Sequence, residues 1–156
     1  MTNQEIKDIC KRYDIRNYTI NLDGSIDVRG DVSLSSIGLS ELPLKFGKVS
    51  GDFYCYSNKL TSLEGCPNDL GGSFECSHNQ LTSLEGSPNY VGGDFYCNYN
   101  QLENLEGSPK EVSGDFYCNY NKLTTLEGYN GDLNKLYCNN KDKLVRKTKL
   151  KLIDQL

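Results

Sequence analysis

The side chains best equipped for chemistry in this 156-residue chain are seven cysteines, one histidine and eleven tyrosines. Cys55, Cys76, Cys97 and Cys118 recur every 21 residues, and Cys138 closes a slightly shorter interval. A zinc site needs close cysteine pairs such as C-x-x-C, or nearby histidines. Neither occurs, because His78 is the only histidine, so no metal is expected. A nucleophile needs a base within reach, yet the single histidine lies at a variable position of the repeat, with no recurrent acid nearby in sequence. The chain also lacks a Walker motif, a G-x-G-x-x-G and a G-x-S-x-G. No catalytic site and no cofactor is expected, and the protein reads as a non-enzyme. The ladder cysteines are expected to be reduced, buried fillers. Adjacent rungs of a β-coil stand about 4.7–4.9 Å apart, within the disulfide Cα range of about 4.4–6.8 Å, so distance alone does not exclude oxidation. The odd cysteine count, and a start (MTNQEIKDIC) without a basic leader and apolar run, point to a reducing cytoplasm. Cys10 and Cys66 lie off the ladder, and Cys66, a serine in later copies, is expected to be the exposed thiol.

The elements that position these groups are copies of one unit. From Gly51 the chain reads GDFYCYSNKLTSLEGCPNDLG, and the unit returns at Gly72, Gly93 and Gly114. A divergent copy begins at Gly30, with Leu34 at the cysteine position and Ile37 at the asparagine position. About six rungs result, too short individually to bury their own apolar groups and stable only when stacked. In Phe95-Tyr96-Cys97 the side chains alternate faces. Phe53, Phe74, Phe95 and Phe116 therefore form an inward stack, the cysteines a second, and the leucines at 60, 81, 102, 123 and at 63, 84, 105, 126 complete the core. Asn58, Asn79, Asn100 and Asn121 fall where the strand turns, and their amides can bond backbone of their own and neighbouring rungs. Pro67, Pro88 and Pro109 then hold the return extended. No crossover helix fits, so strands on one side and extended backbone on the other are expected. The Gly71-Gly72 and Gly92-Gly93 pairs read as turn residues at the rung junctions.

The Phe-x-Cys-x-x-Asn-x-Leu core resembles the leucine-rich-repeat consensus Leu-x-x-Leu-x-Leu-x-x-Asn-x-Leu. The Leu-x-x-x-Pro return is similar to that of the short bacterial class, and the GDFYC and LTSLEG runs are similar to those of bacteriophage and bacterial repeat proteins. The resemblance covers roughly residues 30–140. It departs where Gly71, Gly92 and Ser113 replace the first consensus leucine and where cysteine replaces the third. It implies a parallel β-coil and says little about the ligand, since this fold serves many partners.

Residues 1–29 read as an N-terminal cap: Thr2-x-x-Glu5 is a capping box ahead of a helical stripe (Ile6, Ile9, Cys10, Tyr13), and Asp23-Gly24 sits between two short strands. Residues 30–140 are the repeats. Residues 141–156 read as a helical C-terminal cap with Val145, Leu152, Ile153 and Leu156 as its stripe.

The face pointing away from the core is where a partner is expected. It presents Asp52, Asp94 and Asp115 beside Tyr54, Glu75, Tyr96, Tyr117 and Tyr137, then Tyr56, then His78, Tyr99 and Tyr120. Tyrosines among carboxylates make an amphipathic contact surface of low conformational entropy. Residues 30–131 carry 5 basic against 13 acidic side chains, whereas 132–156 carry 7 against 3. An acidic face disfavours nucleic acid and suits a protein with a basic patch. Two other functions follow from other features: a small ligand or nucleotide on the tyrosine face, and nucleic-acid contact through the basic tail. The phage likeness implies inhibition of a host defence protein in the host cytoplasm. No membrane span is expected.

Overall fold

The computed structural model describes residues 1–154. The chain winds as a β-solenoid of about five parallel turns between a helical cap at each end. Helix α1 (Asn3–Arg12) starts at Thr2, whose hydroxyl accepts the Glu5 N–H while the Glu5 carboxylate accepts the Thr2 N–H, so the capping box is closed. It buries Ile6 and Cys10 over the open end of the coil. Strands β1 (Tyr18–Ile20) and β2 (Ile26–Val28) form the expected antiparallel hairpin. Its turn is set by Asp23, which accepts the N–H and hydroxyl of Ser25, and by Gly24 at φ +79°.

From there the chain alternates between two six-stranded sheets. Strands β3 (Val32–Ser33), β5 (Phe53–Tyr54), β7 (Phe74–Glu75), β9 (Phe95–Tyr96), β11 (Phe116–Tyr117) and β12 (Leu136–Tyr137) pair in parallel along one side. Each phenylalanine lies beside the next, and Phe116 beside Leu136. The other side is a sheet as well. Strands β4 (Phe46–Val49), β6 (Asp69–Leu70), β8 (Tyr90–Val91) and β10 (Glu111–Val112) continue in parallel from the hairpin. The expectation of merely extended return backbone is therefore corrected. Proline holds the return extended, Leu70 and Val91 anchor it inside, and rungs at strand spacing then bond one another.

The corner glycines also differ from expectation. Gly71, Gly72, Gly92 and Gly93 are absent from the positive-φ residues, so they are not left-handed turn positions. A Cβ on Gly71 would stand 2.3 Å from the Ser50 carbonyl oxygen, and one on Gly92 2.2 Å from that of Gly71. Glycine is required here because consecutive rungs touch backbone to backbone.

The core lies between the sheets. Phe53, Phe74, Phe95 and Phe116 stack with centroids 5.7, 5.3 and 4.8 Å apart, closed edge-on by Phe46 at one end and Tyr129 at the other. The ladder cysteines Cys55 to Cys118 are buried beside them, all as free thiols. Burial pushes the Cys55, Cys76 and Cys97 thiols up from their ordinary pKa, which keeps them protonated and inert. Cys66 is buried too, contrary to expectation. The chain folds inward at Leu63-Cys66, and the Cys66 N–H bonds the Leu63 carbonyl. At the far end α2 (Lys141–Ile153) packs through Leu144, Val145 and Thr148, whose hydroxyl accepts the Leu126 N–H. Leu152 and Ile153 are exposed, so the expected stripe is corrected. The contact runs one turn nearer the helix start, where the last rung ends. Leu156 lies outside the described residues. No helix among them is long and apolar enough to cross a membrane.

Candidate functional site

The outward positions of β5, β7, β9, β11 and β12 make one continuous face. Its first layer is a polar ladder. The Asp31 carboxylate accepts the Asp52 N–H at 2.8 Å, Asp52 that of Ser73 at 2.6 Å and Asp94 that of Asp115 at 2.8 Å, each 21 residues on. The second carboxylate oxygen of Asp52 accepts the Tyr54 hydroxyl (2.7 Å), and that of Asp94 the Tyr96 hydroxyl (2.8 Å). Tyr117 bonds Asp115 more weakly at 3.3 Å. These bonds favour the neutral phenol beside a carboxylate and push the Tyr54 and Tyr96 pKa up to about 12. Glu75 has no phenol to meet, and its carboxylate accepts the Ser77 N–H. The aspartates are thus tied to the rungs and held at fixed positions along the face.

Two columns of rings stand on this ladder. Tyr96, Tyr117 and Tyr137 stack with centroids 4.8 Å apart. His78, Tyr99 and Tyr120 stack at 4.3 and 4.4 Å. Tyr96 and Tyr117 are half-buried by their neighbours, whereas Tyr99, Tyr120 and Tyr137 are 45%, 59% and 44% exposed. Tyr56 is exposed, and neither it nor Tyr54 stacks on another ring among the described residues. The structure thus brings Tyr96, Tyr99, Tyr117, Tyr120, Tyr137 and His78 into stacked columns, and leaves Tyr54, Tyr56 and Glu75 as single groups.

The second column carries a feature that residue types do not reveal. Ser36, Ser57, His78, Tyr99, Tyr120 and Asn140 all have φ between 54° and 59°. Every rung enters the left-handed region just before its asparagine position, which Ile37 holds in the first copy and Lys141 in the last. Asparagine and histidine suit such a bend, but a tyrosine is an outlier there. Three consecutive rungs hold rings in that conformation, and stacking offsets part of the cost. The D-x-Y spacing could have disclosed the carboxylate–phenol bonds, since residues two apart share a face. The left-handed bend had no comparable signal.

Elsewhere, Cys138 at the C-terminal end is the one half-buried cysteine. Its pKa is lowered by a hydrogen bond with Cys118 and by Lys141, while that of Cys118 is raised. Among the described residues no group of three or more His, Cys, Asp or Glu side chains could hold a metal ion.

No family model, curated protein or solved structure matches this chain.

Proposed function

We propose that this chain is a non-enzymatic protein-binding module of leucine-rich-repeat type, whose tyrosine face takes a partner with a basic patch. The observation that carries this reading is the double column of stacked, part-exposed rings set among carboxylates. Among the described residues no lysine or arginine pairs with Asp52, Glu75, Asp94 or Asp115. Stacked rings give large contact area with little entropy left to lose, and aromatic anchors near an interface centre often carry its energy. The carboxylates attract a basic partner and speed its encounter. Tyr99 and Tyr120 stand in a backbone region that disfavours them, which adds support, because such strain gathers at functional positions. A nucleotide's phosphates would meet only negative charge here, so that reading is weaker.

The likeness to bacteriophage repeat proteins makes occlusion of a host protein the role to test first. Capture from bacterial lysate by the wild-type chain, against a Tyr96→Ala/Tyr117→Ala variant, tests the surface. The variant is expected to lose at least about thirtyfold in affinity, with an unchanged fold. Retained capture would move the site to the opposite glutamate column (Glu64, Glu85, Glu106, Glu127). A second reading, nucleic-acid contact, rests on the exposed Lys143, Arg146, Lys147 and Lys149 of α2. A steep salt dependence of DNA binding, abolished by neutralising those four, would favour it.

A further inference from the structure

We infer that the hollow between the N-terminal cap and the first rung is a receptor for an arginine side chain, presented by the basic partner proposed above. The inference rests on that reading only for the source of the arginine.

The hollow has a volume of about 480 Å3 and lies between Tyr13, Asp14 and Ile15 of the cap, Asp31 and Ser33 of the first rung, and Tyr54 of the second. Its origin is visible in the register. Ser33 is the strand partner of Tyr54, just as Tyr96 is of Tyr117. Where both positions are tyrosine, the rings stack 4.8 Å apart. With serine at position 33, the first rung lacks its ring, and one face of Tyr54 borders the space. The cap does not fill it: the buried Ile15, with Tyr13 and Asp14, lines it from the cap.

The missing phenol also leaves a bond unmade. Asp52 and Asp94 each accept a backbone N–H on one oxygen and a tyrosine hydroxyl on the other. Asp31 accepts only the Asp52 N–H, and among the described residues no side chain donates to it. The hollow is therefore a mould for a flat group that stacks on Tyr54 and donates to a carboxylate. A second carboxylate, Asp14, also lines the hollow and takes the Arg16 guanidinium at 2.7 Å. One of the two negative charges is thus matched within the chain, and one is left for a ligand.

A guanidinium meets all three conditions. It is planar, it stacks on aromatic faces, and its fork of N–H donors fits a carboxylate. An ammonium group matches the charge but has neither plane nor fork. A phenol or amide has the donor and the plane but not the charge. An anion is repelled.

The test uses the intact chain with N-acetyl-arginine amide as the probe, followed by NMR. Arginine amide is expected to shift Tyr13, Tyr54 and Tyr56 signals saturably, and N-acetyl-lysine amide to bind about tenfold more weakly. Ser33→Tyr, which supplies the ring present in later rungs, should abolish binding while preserving the circular dichroism spectrum. Asp31→Asn should weaken binding about tenfold without filling the space. Shifts of equal size in both variants, or shifts spread evenly along the acidic columns as far as Asp115, would overturn the site. No partner enters these measurements, so their failure is separate from failure of the Tyr96/Tyr117 capture experiment. Once a partner is captured, Ser33→Tyr should weaken it; undiminished capture would overturn the partner as the source of the arginine.

Discussion

Two polar columns run along this solenoid at the same 21-residue spacing, and both accept N–H groups from a neighbouring rung. Inside, the amide oxygen of Asn79 accepts the Leu60 N–H and that of Asn100 the Leu81 N–H, both at 3.0 Å. Outside, Asp31, Asp52 and Asp94 do the equivalent for the next rung. The difference lies in the solvent and in the second half of the group. Each asparagine also donates: Asn100 reaches the Cys76 and Cys97 carbonyls at 3.1 and 3.2 Å, where Asn79 and Asn100 are nearly without water. The aspartates only accept, at a surface where water can replace the bond. Equal geometry therefore carries unequal energy, because an unmade bond is costly only where nothing substitutes for it. The inner column holds the rungs together; the outer one is left to organise charge and rings.

The sharpest break of this comparison is Asn100→Ala. It strands the Leu81 N–H in the core and takes one of two amide donors from the Cys76 and Cys97 carbonyls, which keep those of Asn79 and Asn121, so the loss should be about 2–3 kcal/mol in urea unfolding. Asn100→Asp should be worse at neutral pH than at pH 4. Its carboxyl would face carbonyl oxygens and hold its proton when folded, so the loss grows as pH rises past the unfolded pKa. By contrast, Asp94→Ala should cost only about 1 kcal/mol. Equal losses at positions 94 and 100 would refute the division of labour.

The outer column can be read by its phenols. In the folded chain Tyr54 and Tyr96 titrate near 12, against an ordinary value of 10. The folded state thus keeps these protons while the unfolded state releases them. Their contribution to stability is intact below pH 10 and is lost as pH rises through 12. Asp94→Ala should bring the Tyr96 transition back toward 10 in an ultraviolet titration, leaving Tyr54 in place.

A smaller effect is expected from Tyr99→Asn with Tyr120→Asn. Asparagine suits the left-handed bend, so relief of strain offsets lost stacking, and Tm should move by less than about 3 °C. Partner capture should nevertheless fall. The least demanding test is thiol labelling of the native chain. Cys138, half-buried and with its pKa lowered, should react first, and Cys66 no faster than the ladder cysteines.

Cys66 and Tyr99 show what sequence patterns leave out. Cys66 stands in a polar, proline-adjacent stretch where later copies hold serine, and that substitution reads as exposure. Its burial follows from the path of the return, which depends on a neighbouring rung for its depth. For Tyr99 the face was legible from strand alternation, but the positive φ was not. The second parallel sheet was missed for a related reason: Asp69-Leu70 and Tyr90-Val91 are too short to register as strands until a neighbouring rung bonds them.

What the sequence determined by itself was whatever repeats: the period, the inward phenylalanine, cysteine, leucine and asparagine columns, and the outward tyrosines and acids. Those follow from a backbone whose side chains alternate and whose copies must stack to bury anything. What only the tertiary structure decided was whatever depends on contact between rungs or with the caps. The corner glycines are required by the carbonyl one rung below, and the Asp31 hollow exists because cap residues and the first two rungs come together around it. Such distances are set by how one turn rests on the next, and residues 21 apart in the chain meet only when it has folded.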